Sequence, residues 1–183
     1  EEPVAAAIGA GVDIARPSGS MILDIGGGTA DIAVLSLNGV VQKASIKLGG
    51  DKFDQAIVRY LRDTYGLLVG EKMAETVKRE IGTVSSNIGD EAFDVKGRNL
   101  AKGLPEKRRI TAKELRPCLL EIAEQIVSSM QSVLEKTPPE LVGDIHTAGV
   151  IMTGGGSQLK GLDELIEERL HIKARLADCP DEC

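Results

Sequence analysis

Twice in this chain an apolar strand-like run ends in three consecutive glycines, and that repeated corner constrains the fold more than any other feature. The first run is Met21-Ile22-Leu23-Asp24-Ile25-Gly26-Gly27-Gly28-Thr29. The second is Val150-Ile151-Met152-Thr153-Gly154-Gly155-Gly156-Ser157. Glycine has no Cβ, so its backbone can turn sharply and its N–H groups can close on an anion. A third loop, Leu48-Gly49-Gly50-Asp51-Lys52-Phe53-Asp54, sets two glycines before a helical pattern. Asp51 can cap that helix, and the positive end of the helix dipole would face a phosphate or a metal. Strands, glycine corners and helices in alternation predict an α/β fold.

The periodicity fills in the elements between the corners. Pro3–Ala10 reads as a short helix, with Pro suited to the first turn. Met21–Ile25, Asp31–Leu37 and Val40–Leu48 read as an antiparallel meander, its second corner made by Asn38-Gly39 as a type I′ turn. Phe53, Ile57, Tyr60 and Leu61 share one helical face, and a second helix spans Glu71–Ile81. The polar, glycine-dotted stretch 87–107 holds one candidate strand, Ala92–Val95, and reads as a small insertion. Thr111-Ala-Lys-Glu114 is a capping box. It opens a long helix with Leu115, Leu119, Ile122, Ile126, Met130 and Val133 as its buried stripe and Pro117 as a kink point. A helix from Pro138-Pro139, a strand Gly149–Thr153, a helix Leu159–Leu170 and a strand Ile172–Leu176 complete the chain.

Chemistry concentrates at the corners. Asp24, at a strand tip, could hold Mg²⁺ through water or orient a water itself, and Thr29 offers a hydroxyl donor. The glycines of the last loop let a flat base or a phosphate approach the backbone. On the second helix, Glu75 could accept from a ribose hydroxyl and Lys78 could lie over an adenine; the plainer reading is a helical ion pair. No GxxxxGK[ST] occurs, and a strand rather than a helix follows Gly28, so neither a P-loop nor a Rossmann fingerprint is present.

Composition excludes several classes. The net charge is −6 and Glu106–Arg109 is the one basic run, which disfavours nucleic acid. No apolar stretch reaches membrane-span length. Cys118, Cys179 and Cys183 form no metal or disulfide pattern, which fits a reducing cytoplasm. His146 and His171 lack metal-ligand spacing. The chain opens at Glu1-Glu2-Pro3 without Met and stops soon after a strand, so it reads as an excised domain.

Asp-Ile-Gly-Gly-Gly-Thr, Gly-Gly-Asp-x-Phe-Asp and Thr-Gly-Gly-Gly-Ser, in that order, resemble the actin/Hsp70/sugar-kinase ATPase superfamily. Glu2-Pro3-Val4-Ala5-Ala6-Ala7-Ile8-Gly9, Gly103-Leu104-Pro105 and Leu134–Leu141 narrow the resemblance to the MreB/Mbl bacterial actins, which guide rod-shaped growth. The resemblance covers nearly the whole chain. It implies one lobe of an actin-like, ribonuclease H-like ATPase: a mixed sheet with flanking helices, residues 1–70 and 112–183, carrying a small α+β insertion, 71–111.

The resemblance also implies roles. Glu2 and Thr29 match residues held to position the attacking water, and Asp24 matches the metal-associated Asp, with Mg²⁺ held through water. Gly26, Gly27, Gly28 and Thr29 would bind the tail phosphates of ATP, with Gly50 and Asp51 beside them. Glu75, Thr76, Val77 and Lys78, with Gly154, Gly155, Gly156 and Ser157, would bind ribose and adenine. The implied partners are further copies of the protein in a filament and membrane-anchored cell-shape proteins. The implied place is the cytoplasm, at the membrane through the intact protein or its partners. Members usually carry Thr-Thr-Glu after the glycines, where this chain has Thr29-Ala30-Asp31. The first lobe, with its own phosphate loop, is not in the sequence. Two other readings stay open: a non-catalytic interaction module, and an Hsp70-type chaperone lobe.

Overall fold

A computed structural model describes residues 2–178. The chain divides into two compact units. One takes in Glu1–Gly50, Glu124–Gln158 and Leu162–Cys183, less the undescribed ends; the other takes in Asp51–Ala123 and Leu159–Gly161.

The first unit is built on a five-stranded mixed sheet. After helix α1 (Glu2–Gly9), strands β1 (Ser20–Ile25), β2 (Ala30–Ser36) and β3 (Gly39–Ile46) form the predicted antiparallel meander. Strands β7 (Val150–Thr153) and β8 (Ala174–Leu176) add parallel to it, giving the order β3-β2-β1-β7-β8. Alternate residues of a strand face opposite sides, and here both sides are apolar. Ile22, Ala33, Leu35 and Ile151 cluster with Ala7 of α1, while Met21, Leu23, Ile32, Val34, Val150 and Met152 are buried on the opposite face. Burial on both faces explains why β1 and β7 read as apolar runs.

The β2–β3 turn corrects the predicted one by a residue. Its central pair is Leu37-Asn38, with φ of 51° and 62°, and Gly39 already pairs with Ser36. Leucine rarely adopts positive φ. Here the N–H groups of Leu37 and Asn38 donate to the carbonyls of Arg16 and Ile14, so the preceding loop fixes the turn.

The second unit holds most of α2 (Gly50–Tyr65), β4 (Leu67–Leu68), α3 (Glu71–Ile81), β5 (Ala92–Asn99), β6 (Pro105–Thr111) and the start of α4 (Ala112–Glu135). Phe53, Ile57 and Leu61 are fully buried, as their spacing predicts, each stabilising by about 1.5–3 kcal/mol. The capping box forms reciprocally: Thr111 N–H donates to Glu114 Oε2 (2.9 Å) and Glu114 N–H to Thr111 Oγ1 (3.2 Å). Glu114 also accepts the Tyr60 and Tyr65 hydroxyls, tying α2 to the start of α4. The candidate strand at 92–95 is longer than predicted and pairs with β4 and β6, neither of which the sequence pattern had marked.

Helices α5 (Pro139–Ala148) and α6 (Leu162–Leu170) lie in the first unit. The helix predicted from Leu159 starts instead at Leu162, because a 3-10 turn, Gly155–Gln158, and Gly161 at φ 84° intervene.

Candidate functional site

The sheet register brings the glycine corners together. Strands β1 and β7 are parallel neighbours with Asp24 opposite Thr153, so both chains leave the sheet side by side and turn through glycine. The carboxyl ends of parallel strands are where open α/β sheets hold ligands. The third loop joins them: Gly50 N–H donates to the Gly26 carbonyl at 2.8 Å. A Cβ on Gly49 would meet the Gly26 and Gly27 oxygens at 2.5 Å.

The two triglycine corners differ in what requires glycine. Gly154 has φ of 82°, and a Cβ there would sit 2.4 Å from the Ile25 oxygen and 2.5 Å from Asp24 Oδ1. A Cβ on Gly156 would strike Ile25 Cγ2 at 2.4 Å. At Gly28 nothing lies within 4 Å, and at Gly26 the nearest atom is 4.0 Å away. Neither has left-handed φ. Neither local conformation nor packing calls for glycine at these two positions, so the open space and the bare backbone are available to a ligand. Gly27 and Gly28 are exposed, and among the described residues no backbone acceptor takes their N–H groups.

Beside these donors stands a group of carboxylates. Asp24 pairs in register with Asp31, so both side chains point to one face. Burial raises the Asp24 carboxyl above its ordinary value, and the charges of Asp31 and then Glu2 raise it further. Asp31 was missing from the sequence-derived set; the spacing across the β1–β2 corner, Asp24 to Asp31, is the signal that could have found it. The Thr29 hydroxyl donates to Asp31 Oδ2 at 3.0 Å. Its proton is thus committed, and its oxygen is left as an acceptor rather than the donor first expected. An open cavity of about 430 Å³ adjoins, lined by Glu2, Pro3, Asp31, Ile32, Lys43, Ala44 and Ser45.

The donor set fits Mg²⁺ held indirectly. Among the described residues no cluster of three or more His, Cys, Asp or Glu is placed to hold a metal ion. Mg²⁺, however, commonly takes one or two carboxylates and completes its shell with water and phosphate. Asp24, crowded by Asp31 and Glu2, is a carboxylate whose charge a cation would relieve.

Other predicted residues sit differently. Ser157 is buried and its hydroxyl donates to the Thr153 carbonyl, so it closes the turn rather than facing a ligand; Gly155 is the exposed member of that corner. Asp51 lies inside the first turn of α2, which begins at Gly50, so it favours the helix dipole without occupying the cap position. Gly50 is buried with its N–H on Gly26. In the second unit, Val77 is fully buried core. Thr76 donates to the Lys72 carbonyl, Glu75 pairs with Arg79, and the Lys78 ammonium forms an ion pair with Asp54 at 2.8 Å. Cys118 is half-buried, and burial pushes its thiol up to about 11, well away from reactivity. Cys179 and Cys183 lie outside the described residues. No helix among those residues is long and apolar enough to cross a membrane.

Residues 1–183 match the family described as MreB/Mbl protein. The cell shape-determining protein Mbl of Bacillus subtilis (strain 168) is 46% identical over 183 residues, spanning 100% of this chain and 55% of that protein. The cell shape-determining protein MreB of Escherichia coli (strain K12) is 48% identical over 185 residues, spanning 100% and 53%. The crystal structure of MreB5 of Spiroplasma citri bound to ADP superposes with a TM-score of 0.96 at 37% identity, covering 100% of this chain and 56% of that one. The MamK double helical filament shares the fold, with a TM-score of 0.80 at 20% identity and 55% of its chain covered. The chain thus spans about half the length of the curated relatives it matches. On its fold and on this match along its whole length, the chain belongs to the MreB/Mbl family of actin-like proteins.

Proposed function

We propose that the first unit binds the phosphate tail of ATP and that the longer protein is a filament-forming ATPase that directs rod cell shape. The observation that carries this reading is the pair Gly26 and Gly28, glycines whose bareness the fold does not use. The Gly27 and Gly28 N–H groups would cradle the phosphates, as charge-assisted hydrogen bonds from backbone donors do. Asp24 would hold Mg²⁺ through water, and the cation would neutralise phosphate charge. Glu2 and Asp31 would orient a water for attack, with Thr29 fixing the Asp31 carboxylate through its hydroxyl. Family membership supports the reading, as do the MreB5 structures, which hold ADP or AMPPNP. Further copies of the protein are the proposed partners, along with membrane-anchored cell-shape proteins, at the cytoplasmic side of the membrane.

Titration calorimetry of this chain with ATP and Mg²⁺ tests it. A few charge-assisted hydrogen bonds, set against the cost of association, predict a dissociation constant on the order of 0.1–1 mM. Gly28→Val, which fills the open space, should abolish that signal. Absence of heat at millimolar ATP, or equal binding by Gly28→Val, would favour the other reading: a non-catalytic interaction module.

A further inference from the structure

The cavity beside the carboxylates runs from the glycine corner to the edge of the sheet. Across β1, β2 and β3 the register sets Asp24, Asp31 and Ser45 in one row, with Ile22, Ala33 and Lys43 in the next. Residues opposite one another across a ladder point the same way, and so do residues two apart along a strand. Both rows therefore share the face that α1 covers, where Ile22 and Ala33 cluster with Ala7. Asp24 and Asp31 are half-buried, whereas Ser45 and Lys43, on the edge strand β3, are exposed. Neighbouring strands stand about 4.8 Å apart, so Ser45 lies roughly 10 Å from Asp24.

Charge changes sign along the same path. Glu2 and Asp31 line the cavity and crowd Asp24. Lys43 is the one cation among the lining residues. Among the described residues its ammonium has neither an ion pair nor a hydrogen bond. A lysine that lines a cavity with two carboxylates and pairs with neither is free to meet an anion. The cavity, about 430 Å³ and open to solvent, has room for a hydrated phosphate ion.

We infer that this cavity is the exit for the inorganic phosphate cut from ATP, and that Lys43 and Ser45 receive it at the sheet edge. The inference rests on the nucleotide reading above. In hydrolysis the water oxygen bonds the γ-phosphorus from the side opposite ADP. The bond to the bridging oxygen breaks, its electron pair stays on ADP, and a water proton passes to the carboxylate that orients the water. The phosphate thus moves toward Glu2 and Asp31. Both carboxylates repel it there, and Lys43 draws it onward. This order of charges drives phosphate out through the edge of the sheet while the glycine loops still hold ADP.

Inorganic phosphate itself is the first probe, followed by broadening of its phosphorus NMR signal. The titration uses the Gly28→Val chain, whose glycine loop no longer takes phosphate, so the signal reports the second site alone. A dissociation constant on the order of 10 mM is expected. Lys43→Gln, which removes one charge-assisted hydrogen bond, should weaken it about tenfold, and Lys43→Arg should keep it. In the longer protein, acid-quenched ATP cleavage is timed against free phosphate seen by a fluorescent phosphate reporter. The lag between the two should lengthen about tenfold in Lys43→Gln and return to the wild-type value in Lys43→Arg. Lys43 is exposed, so both variants should keep the wild-type melting curve. No phosphate signal from the Gly28→Val chain, or an equal signal with Lys43→Gln added, overturns the inference. ATP cleavage with an unchanged lag in Lys43→Gln sinks the exit and leaves the nucleotide reading standing. ATP neither bound nor cleaved by the wild type takes down both.

Discussion

The corner after β1 and the corner after β7 are spelled almost alike, Ile-Gly-Gly-Gly-Thr and Thr-Gly-Gly-Gly-Ser, yet they are glycine-rich for different reasons. At Gly154 and Gly156 the fold itself forbids a side chain: one has left-handed φ and both press on the backbone or side chain of β1. At Gly26 and Gly28 the fold would accept one. Glycine that packing explains says little about a ligand, whereas glycine that packing leaves unexplained says much. The β7 corner is the buttress that lets the β1 corner stand open, and the space a side chain on Gly154 would need is already taken by Ile25 O and Asp24 Oδ1.

Substitution at the two corners should break the likeness. Gly154→Ala combines a left-handed backbone with overlap onto Ile25 and Asp24. It should cost about 2–5 kcal/mol, read as a lowered urea midpoint. Gly28→Ala, in open space at ordinary φ, should leave stability unchanged or raise it by about 0.4–1 kcal/mol. In the same assay, equal losses at the two positions would erase the distinction. For binding the order reverses: Gly28→Val should weaken nucleotide affinity at least about tenfold, or about 1.4 kcal/mol, with the midpoint little changed.

Ser157→Ala sharpens the point within the β7 corner. Its buried hydroxyl donates to the Thr153 carbonyl, so its loss should cost about 1 kcal/mol of stability. A ligand-facing serine would show the opposite pattern, stable protein with weakened binding, and calorimetry beside a denaturation curve separates the two.

Much of this was legible in the sequence, and what was not has physical causes. Both faces of β1 and β7 are buried, so these two strands announced themselves as apolar runs, while β2 read as an imperfect alternation. Strand β6, Pro-Glu-Lys-Arg-Arg-Ile-Thr, buries only Ile110 fully; its charges masked the alternation. Motif spelling found the three loops but could not say which glycines the fold required. It ranked Ser157 and Val77 as ligand contacts, although both are buried. Asp31 was overlooked because its meaning comes from pairing across the corner with Asp24.

The smallest effect bears on that pair. The Asp24 carboxyl is raised by burial and by Asp31 and Glu2, so the folded chain binds its proton more readily than the unfolded chain does. Stability linked to this group is therefore greatest at low pH. It falls as pH rises from the unfolded value, near 3.8, through the raised folded value, and is flat beyond. Asp24→Asn removes the repulsion. It should be more stable than wild type at neutral pH, by less than about 1 kcal/mol once solvent screening of this half-exposed group is allowed for. That gain should vanish as pH is lowered through the window. Addition of Mg²⁺ with ATP should invert the ranking, because wild type then gains a cation beside Asp24 and the variant does not. Thermal melts at neutral and acid pH, with and without Mg²⁺–ATP, read both signs. A variant less stable than wild type at neutral pH without ligand would mean that Asp24 is a structural acceptor rather than a charge held ready for a metal.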